Sequence, residues 1–145
     1  MLRSLYKSDL SRLVAIENAV HVAPWAEETF KSCLQAHCVG WVVEVEQKVM
    51  AFVLITFSMD ECHILNICVD HPYQHQGYGR QLLTQVLTYA KSKKLNLVYL
   101  EVRQSNTRAI QLYQKMGFEL IGERKGYYPT VAGREDALIL AKVLS

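Results

Sequence analysis

The chain has 145 residues, 50% apolar and 21% charged, with a net charge of +2. That size and balance suit one folded domain with a single core, and they exclude a disordered or fibrous chain. The lysines and arginines are scattered, so no basic run or helix face speaks for nucleic acid, and no apolar stretch approaches the roughly 18 to 20 residues of a membrane span.

Ser8 and Asp9 are suited to cap a helix carrying Leu10, Leu13, Val14, Glu17 and Val20, and Pro24 before Trp25 opens a second helix with Phe30, Cys33 and Leu34. Residues 39–45 and 49–57, rich in branched and aromatic side chains about a Glu46-Gln47-Lys48 turn, predict a β-hairpin; 63–69 adds a third strand that Asp70-His71-Pro72 stops. Leu82, Leu83, Val86, Leu87 and Ala90 mark one face of a helix beginning near Gly77, with lysines at its C-terminal end. Residues 95–102 form a nearly continuous apolar strand. Ser105 or Asn106 then caps a helix with Ala109, Leu112, Tyr113 and Met116 on one face, ended by Gly117. Strands at 118–123 and 137–143 enclose a polar loop, 127–136. The order is β-α-α-β-β-β-α-β-α-β-β: an α/β chain with a mixed sheet of about seven strands and about four helices on its faces, one domain over residues 1–145. The strand ending at Val69, the following helix and the strand from Leu95 make a right-handed crossover, so those two strands are expected to be parallel.

Cys33, Cys38, Cys62 and Cys68 form no CxxC pair, and free, mostly buried thiols are expected. Cys33, His37 and Cys38, or Cys62, His63, Cys68 and His71, lack a recognised metal-ligand spacing, so no metal is expected. The first nine residues lack a signal peptide's apolar region and cleavage site, which leaves the cytoplasm as the expected location.

Between strand and helix lies His75-Gln76-Gly77-Tyr78-Gly79-Arg80. A helix N-terminus leaves N–H groups unpaired and carries partial positive charge, so it can hold phosphate. Gly77 and Gly79 would let the backbone approach, with His75 and Arg80 adding contacts, and tight strand-to-helix packing is the structural alternative. Neither GxxxxGK[ST] nor GxGxxG is present, which argues against a nucleotide P-loop and a dinucleotide fold.

Gln74-x-x-Gly77-x-Gly79, after a strand and before a helix, resembles the pyrophosphate-binding signature of the GCN5-related N-acetyltransferases (GNAT), whose element order is also the one read above. Further blocks are similar to the RimI group within that family: Pro24-Trp25, Asn66-Ile67-Cys68-Val69-Asp70, Leu100-Glu101-Val102-Arg103-Gln104-Ser105-Asn106, Ala109-Ile110-Gln111-Leu112-Tyr113, Gly117-Phe118, Tyr127-Tyr128-Pro129-Thr130 and Gly133-Arg134-Glu135-Asp136-Ala137. The resemblance implies the GNAT fold, acetyl-coenzyme A (acetyl-CoA) as co-substrate, and acetylation of the N-terminal alanine of a small-subunit ribosomal protein by a monomer or weak dimer.

It also implies roles. The backbone of Ile67, Cys68 and Val69 would pair with pantetheine and polarise the thioester carbonyl. His75, Gln76, Gly77, Tyr78, Gly79 and Arg80 would hold the pyrophosphate, and Asn106 the cofactor arm. Glu101 would be the general base through water, and Tyr113 would protonate the departing thiolate. Tyr127, Tyr128 and Asp136 would border the peptide groove. The residues by themselves leave other readings: Glu101 paired with Arg103 or facing solvent, Tyr113 a core aromatic, Asn106 a helix cap, Asp136 paired locally. Two departures from the group stand out. Ala26 replaces the serine usual after Pro-Trp, weakening a helix cap, and His75 stands where arginine is common. Acetylation of other N-termini, lysines or a small-molecule amine, and a non-catalytic acyl-CoA-binding module, are the competing functions.

Overall fold

A computed structural model describes residues 1–21, 23–36 and 38–144. Its elements are β1 (Leu2–Ser4), α1 (Leu10–Val20), α2 (Glu27–Gln35), β2 (Val39–Val45), β3 (Lys48–Phe57), β4 (Glu61–Val69), α3 (Tyr78–Ser92), β5 (Leu97–Arg103), α4 (Thr107–Lys115), β6 (Glu119–Thr130) and β7 (Gly133–Val143). The seven strands form one sheet in the order β1-β2-β3-β4-β5-β7-β6. Only β4 and β5 run parallel, joined through α3 as the crossover requires.

The strand period of two distributes the core to both faces. Val53, Ile55, Ile64, Val98 and Leu100 pack with Leu82, Leu83 and Val86 of α3 and Tyr113 of α4. On the other face Val42, Phe52, Leu54 and Cys68 meet Leu13 and Ile16 of α1 and Phe30 of α2. Each such buried chain stabilises the fold by roughly 1.5–3 kcal/mol. This is why the central strand β3 reads as unbroken apolar sequence, buried from Val49 to Ile55.

β4 changes face in its middle. Ile55 pairs with Ile64 but Leu54 pairs with Asn66, so Leu65 is the extra residue of a β-bulge. Upstream, Cys62 and Ile64 face α3; downstream, Asn66 and Cys68 face α1. The bulge therefore turns the strand's end toward the gap that opens beside β5.

Several expectations need correction. Residues 127–136 are not a loop: β6 and β7 pair as far as Thr130 and Gly133 about a two-residue turn. Their polar character reflects a hairpin with one face exposed and the other only half-buried, rather than absence of structure. Cys33 and Cys38 are not free thiols but a disulfide with Cα atoms 5.6 Å apart, because the turn closing α2 returns the chain onto itself and Cys38 N–H reaches Cys33 O. Cys62 and Cys68 are buried free thiols, and as core residues of opposite sheet faces they share no ligand cluster; the other set includes His37, which lies outside the described residues. Asp9 occupies the N-cap of α1 without capping it: its carboxylate accepts from Arg3 and from Tyr6 N–H instead.

Ala26 is the N-cap of α2 and supplies no side-chain hydrogen bond. Ala26→Ser is expected to stabilise the protein by about 1 kcal/mol, measured by denaturant titration. An unchanged midpoint would mean that the first-turn N–H groups of α2 gain nothing from a cap.

Candidate active site

Pairing between β4 and β5 stops at Ile64 and Leu100. Beyond that point the strands separate at their C-terminal ends, the place where open α/β sheets bind ligands. Two adjoining clefts follow the gap. The inner one, of about 150 Å³, is bordered by Glu17, Trp25, Asn66, Glu101 and Tyr128; the outer one, of about 480 Å³, runs to the glycine loop; Ile67, Asn106 and Tyr113 line both.

The ladder decides which backbone groups face the gap. Asp70 N–H donates to Met50 O, and Cys68 is paired with Phe52. Since antiparallel residues alternate in direction, Ile67 and Val69 turn their N–H and C=O toward the cleft, whereas those of Cys68 point into the sheet. Cys68 thus turns its backbone groups away from the gap, although the residue borders the outer cleft. Gln74 Nε2 donates to Val69 O at 2.9 Å, tying the glycine loop to the end of β4.

Gly77 is the N-cap of α3 with φ +87°, a conformation that disfavours any side chain, and a Cβ there would meet nothing within 4 Å. The first N–H groups of α3 therefore open onto the outer cleft, and Gly77 O accepts from Gln81. Gly79 has a different reason: a Cβ would stand 3.3 Å from Leu112 Cδ2, so this glycine seats α3 against α4. Arg80, His75, Arg108 and Lys115 give the outer cleft a basic wall, with His75 in contact with Arg108. Tyr73 and Tyr78 lie beside it. Gln76 turns away to donate to Pro72 O and does not line the cleft.

Glu101 projects from β5 into the inner cleft with its side chain 11% exposed. Oε1 lies 3.2 Å from His63 Nε2 and Oε2 3.7 Å from Arg124 Nη1. Oε2 is buried and has no hydrogen-bond partner among the described residues. Arg103, the neighbour considered as its partner, binds Glu135 at 2.9 Å instead. Glu101 thus brings a carboxylate, flanked by His63 and Arg124, to the wall of the inner cleft.

Tyr113 is buried between the clefts, and burial pushes its phenol above the usual value of 10, so it carries its proton throughout the neutral range. Asn106 does both things open to it: its Oδ1 accepts from Ala109 N–H as the N-cap of α4, and its side is exposed to both clefts. Tyr128 lies under the Arg103 guanidinium, 4.6 Å from ring centre, with its phenol pushed up to about 12 by burial and the Glu101 charge. Tyr127 stacks edge-on against Tyr128 and is likewise raised by burial and Glu101. Asp136 is not at the groove: it accepts from Gly126 N–H and fixes the irregular turn of β6, the local alternative.

Sequence reasoning passed over Glu17. It is 2% exposed, accepts from Trp25 N–H and Asn66 Nδ2, both at 2.9 Å, and so pins the segment between α1 and α2 over β4. A carboxylate inside the apolar stripe of α1 was the signal for it.

Residues 2–118 match the model of the acetyltransferase (GNAT) family. The chain is 39% identical over 142 residues to the [ribosomal protein bS18]-alanine N-acetyltransferase of Escherichia coli strain K12, covering 98% of this chain and 96% of that one. It is 36% identical over 145 residues to the enzyme of that name from Haemophilus ducreyi, across 99% and 100% of the two chains. The crystal structure of the ribosomal-protein-S18-alanine N-acetyltransferase from Escherichia coli superposes with a TM-score of 0.95 at 38% identity, over 100% of this chain and 94% of that one. With its splayed parallel strands, its glycine loop at a helix N-terminus and these full-length similarities, the chain belongs to the acetyltransferase (GNAT) family.

Proposed function

We propose that the protein transfers the acetyl group of acetyl-CoA to the α-amine of a protein that begins with alanine, a small-subunit ribosomal protein being the partner, and that it works in the cytoplasm as a monomer or weak dimer. The observation that carries the chemistry is the placement of the Glu101 carboxylate and the buried phenol of Tyr113 on one cleft between β4 and β5. The full-length similarity to enzymes named for alanine acetylation supports the choice of acceptor.

The residues divide the work. The first turn of α3, with Arg80, Arg108 and Lys115, suits the phosphates of acetyl-CoA through N–H groups, helix dipole and fixed charge. Ile67 and Val69 extend their backbone groups along the gap, where pantetheine can lie as an added strand. The acceptor amine, with a pKa of about 8, arrives partly protonated at neutral pH. The Glu101 carboxylate takes its proton, directly or through water; the nitrogen bonds to the thioester carbon, and the carbon–sulfur bond breaks. Tyr113 gives its proton to the leaving sulfur. An inner cleft of about 150 Å³, walled by Trp25 and Tyr128, suits a small first side chain such as alanine.

Mass spectrometry of peptides treated with the protein and acetyl-CoA tests this reading. Labelling confined to the α-amine of the peptide beginning with alanine, and sparing those beginning with serine or methionine and an internal lysine, is the expected result. Labelling of lysine or of every N-terminus would assign a broader acetyltransferase, and none would leave an acyl-CoA-binding module.

A further inference from the structure

His63 belongs to neither cleft lining, yet it is the only group among the described residues within 3.5 Å of Glu101 in an ion-pair geometry, its Nε2 lying 3.2 Å from Oε1. Its ring is itself immobilised, stacked on Tyr99 with centroids 4.3 Å apart and planes 9° from parallel. The parallel register makes this possible by placing His63 beside Tyr99, one strand step before Glu101 on the same face of β5. Past Ile64 the pairing with β5 ends, so His63 is the residue of β4 that the parallel register brings closest to the Glu101 carboxylate.

We propose that His63 is the positioning residue of the catalytic carboxylate: the neutral imidazole holds the Glu101 carboxylate in place at the wall of the inner cleft, where the acceptor amine arrives, and protonation of the imidazole weakens that base. This rests on the reading of Glu101 as general base.

The carboxylate favours the tautomer with its proton on Nε2, which donates to Oε1. The charged or titratable groups around the ring are Glu101 and Tyr99 on β5, Arg124 on β6, and Glu61 two residues earlier on β4; Tyr127 adjoins Glu101. Burial pulls the imidazole below its usual 6.5, with Arg124 in the same direction, against the raising effect of Glu101. The ring is therefore uncharged at neutral pH. Below its pKa the imidazolium stands against the carboxylate and opposes proton uptake there by its charge.

The test measures kcat and kcat/KM on an alanine-initiated peptide from about pH 5.5 to 8.5 for wild type, His63→Ala, His63→Gln, Glu101→Gln and the His63→Ala/Glu101→Gln double variant. At pH 8, His63→Ala is expected to lose on the order of ten-fold in kcat, part of the 10²–10⁴ a general base contributes, with the KM for acetyl-CoA unchanged. His63→Gln, which keeps a donor, recovers most of that loss. Its ratio of kcat/KM to wild type, in which the ionisation of the amine cancels, stays flat above about pH 6.5 and rises below it, because glutamine does not titrate. The double variant is no slower than Glu101→Gln alone.

A ratio that is flat at every pH, or a double-variant loss equal to the product of the single losses, overturns the proposal. So does His63→Ala at the wild-type rate while Glu101→Gln is slow. Glu101→Gln at the wild-type rate instead overturns the assignment of the base itself. Should His63→Ala fail to fold, the pH course of the His63→Gln ratio decides alone.

Discussion

Glu101→Gln is expected to lower kcat on an alanine-initiated peptide by about 10²–10³ while leaving the KM for acetyl-CoA near its wild-type value. The substitution keeps the shape of the side chain and an oxygen able to accept from His63, but it removes the charge and the capacity of the carboxylate to take up a proton. Glu17, the other carboxylate bordering the inner cleft, is held by Trp25 N–H and Asn66 Nδ2 and is not placed to take over the task. The loss should shrink as pH rises above about 8, where more of the acceptor amine arrives already neutral and asks less of a base. Steady-state kinetics against pH measure both effects. A variant that retains wild-type turnover at pH 7 would remove the carboxylate from the mechanism and reduce its role to the electrostatics of the groove.

Tyr113→Phe is the second large effect, an expected fall of about 10²-fold or more in kcat with little change in cofactor affinity. Its ring would keep the packing against Phe118, where the centroids are 5.9 Å apart, so the variant should fold. What disappears is the proton offered to the leaving sulfur. Burial raises the phenol above its ordinary value of 10, and the sign of that shift matters. A raised pKa keeps the donor protonated as pH increases, so Tyr113 contributes no decline in kcat between neutral pH and about pH 10. Isothermal titration of acetyl-CoA alongside the kinetics separates a chemical role from a packing one: a large loss of affinity with unchanged turnover would make Tyr113 a wall of the cleft and nothing more.

Much of this could be read before any coordinates. Element order and the parallel crossover follow from periodicities of two and 3.6 and from glycine and proline punctuation. Glu101 announced itself as a carboxylate interrupting an apolar strand. What escaped was set by pairing rather than by composition. The bulge at Leu65 spends no distinctive residue, yet it decides that Ile67 and Val69, and not Cys68, turn backbone toward the gap. His63 looked like one member of an implausible metal set, because its true neighbour lies on another strand and only the register joins them. The hairpin through 127–136 was hidden because its inner face is only half-buried, so its strands carry no apolar alternation. Gly79 was credited with admitting phosphate, whereas Leu112, a neighbour only after folding, gives the nearer reason for it.

The separation of β4 from β5 has a consequence for the molecule as a whole. An unpaired strand margin is something sheets ordinarily confine to their outer rims, where charge or a covering helix guards it; here two margins face each other in the middle of the sheet, past Ile64 and Leu100. On the proposed function, the pantetheine chain completes the sheet there as an added strand would, so that a metabolite serves as part of the architecture. The persistence of the folded protein then becomes a function of acetyl-CoA supply, growing by about 2.7 kcal/mol when the ligand stands at a hundred times its dissociation constant. Cells rich in activated acetyl groups would thereby hold more of the catalyst that spends them.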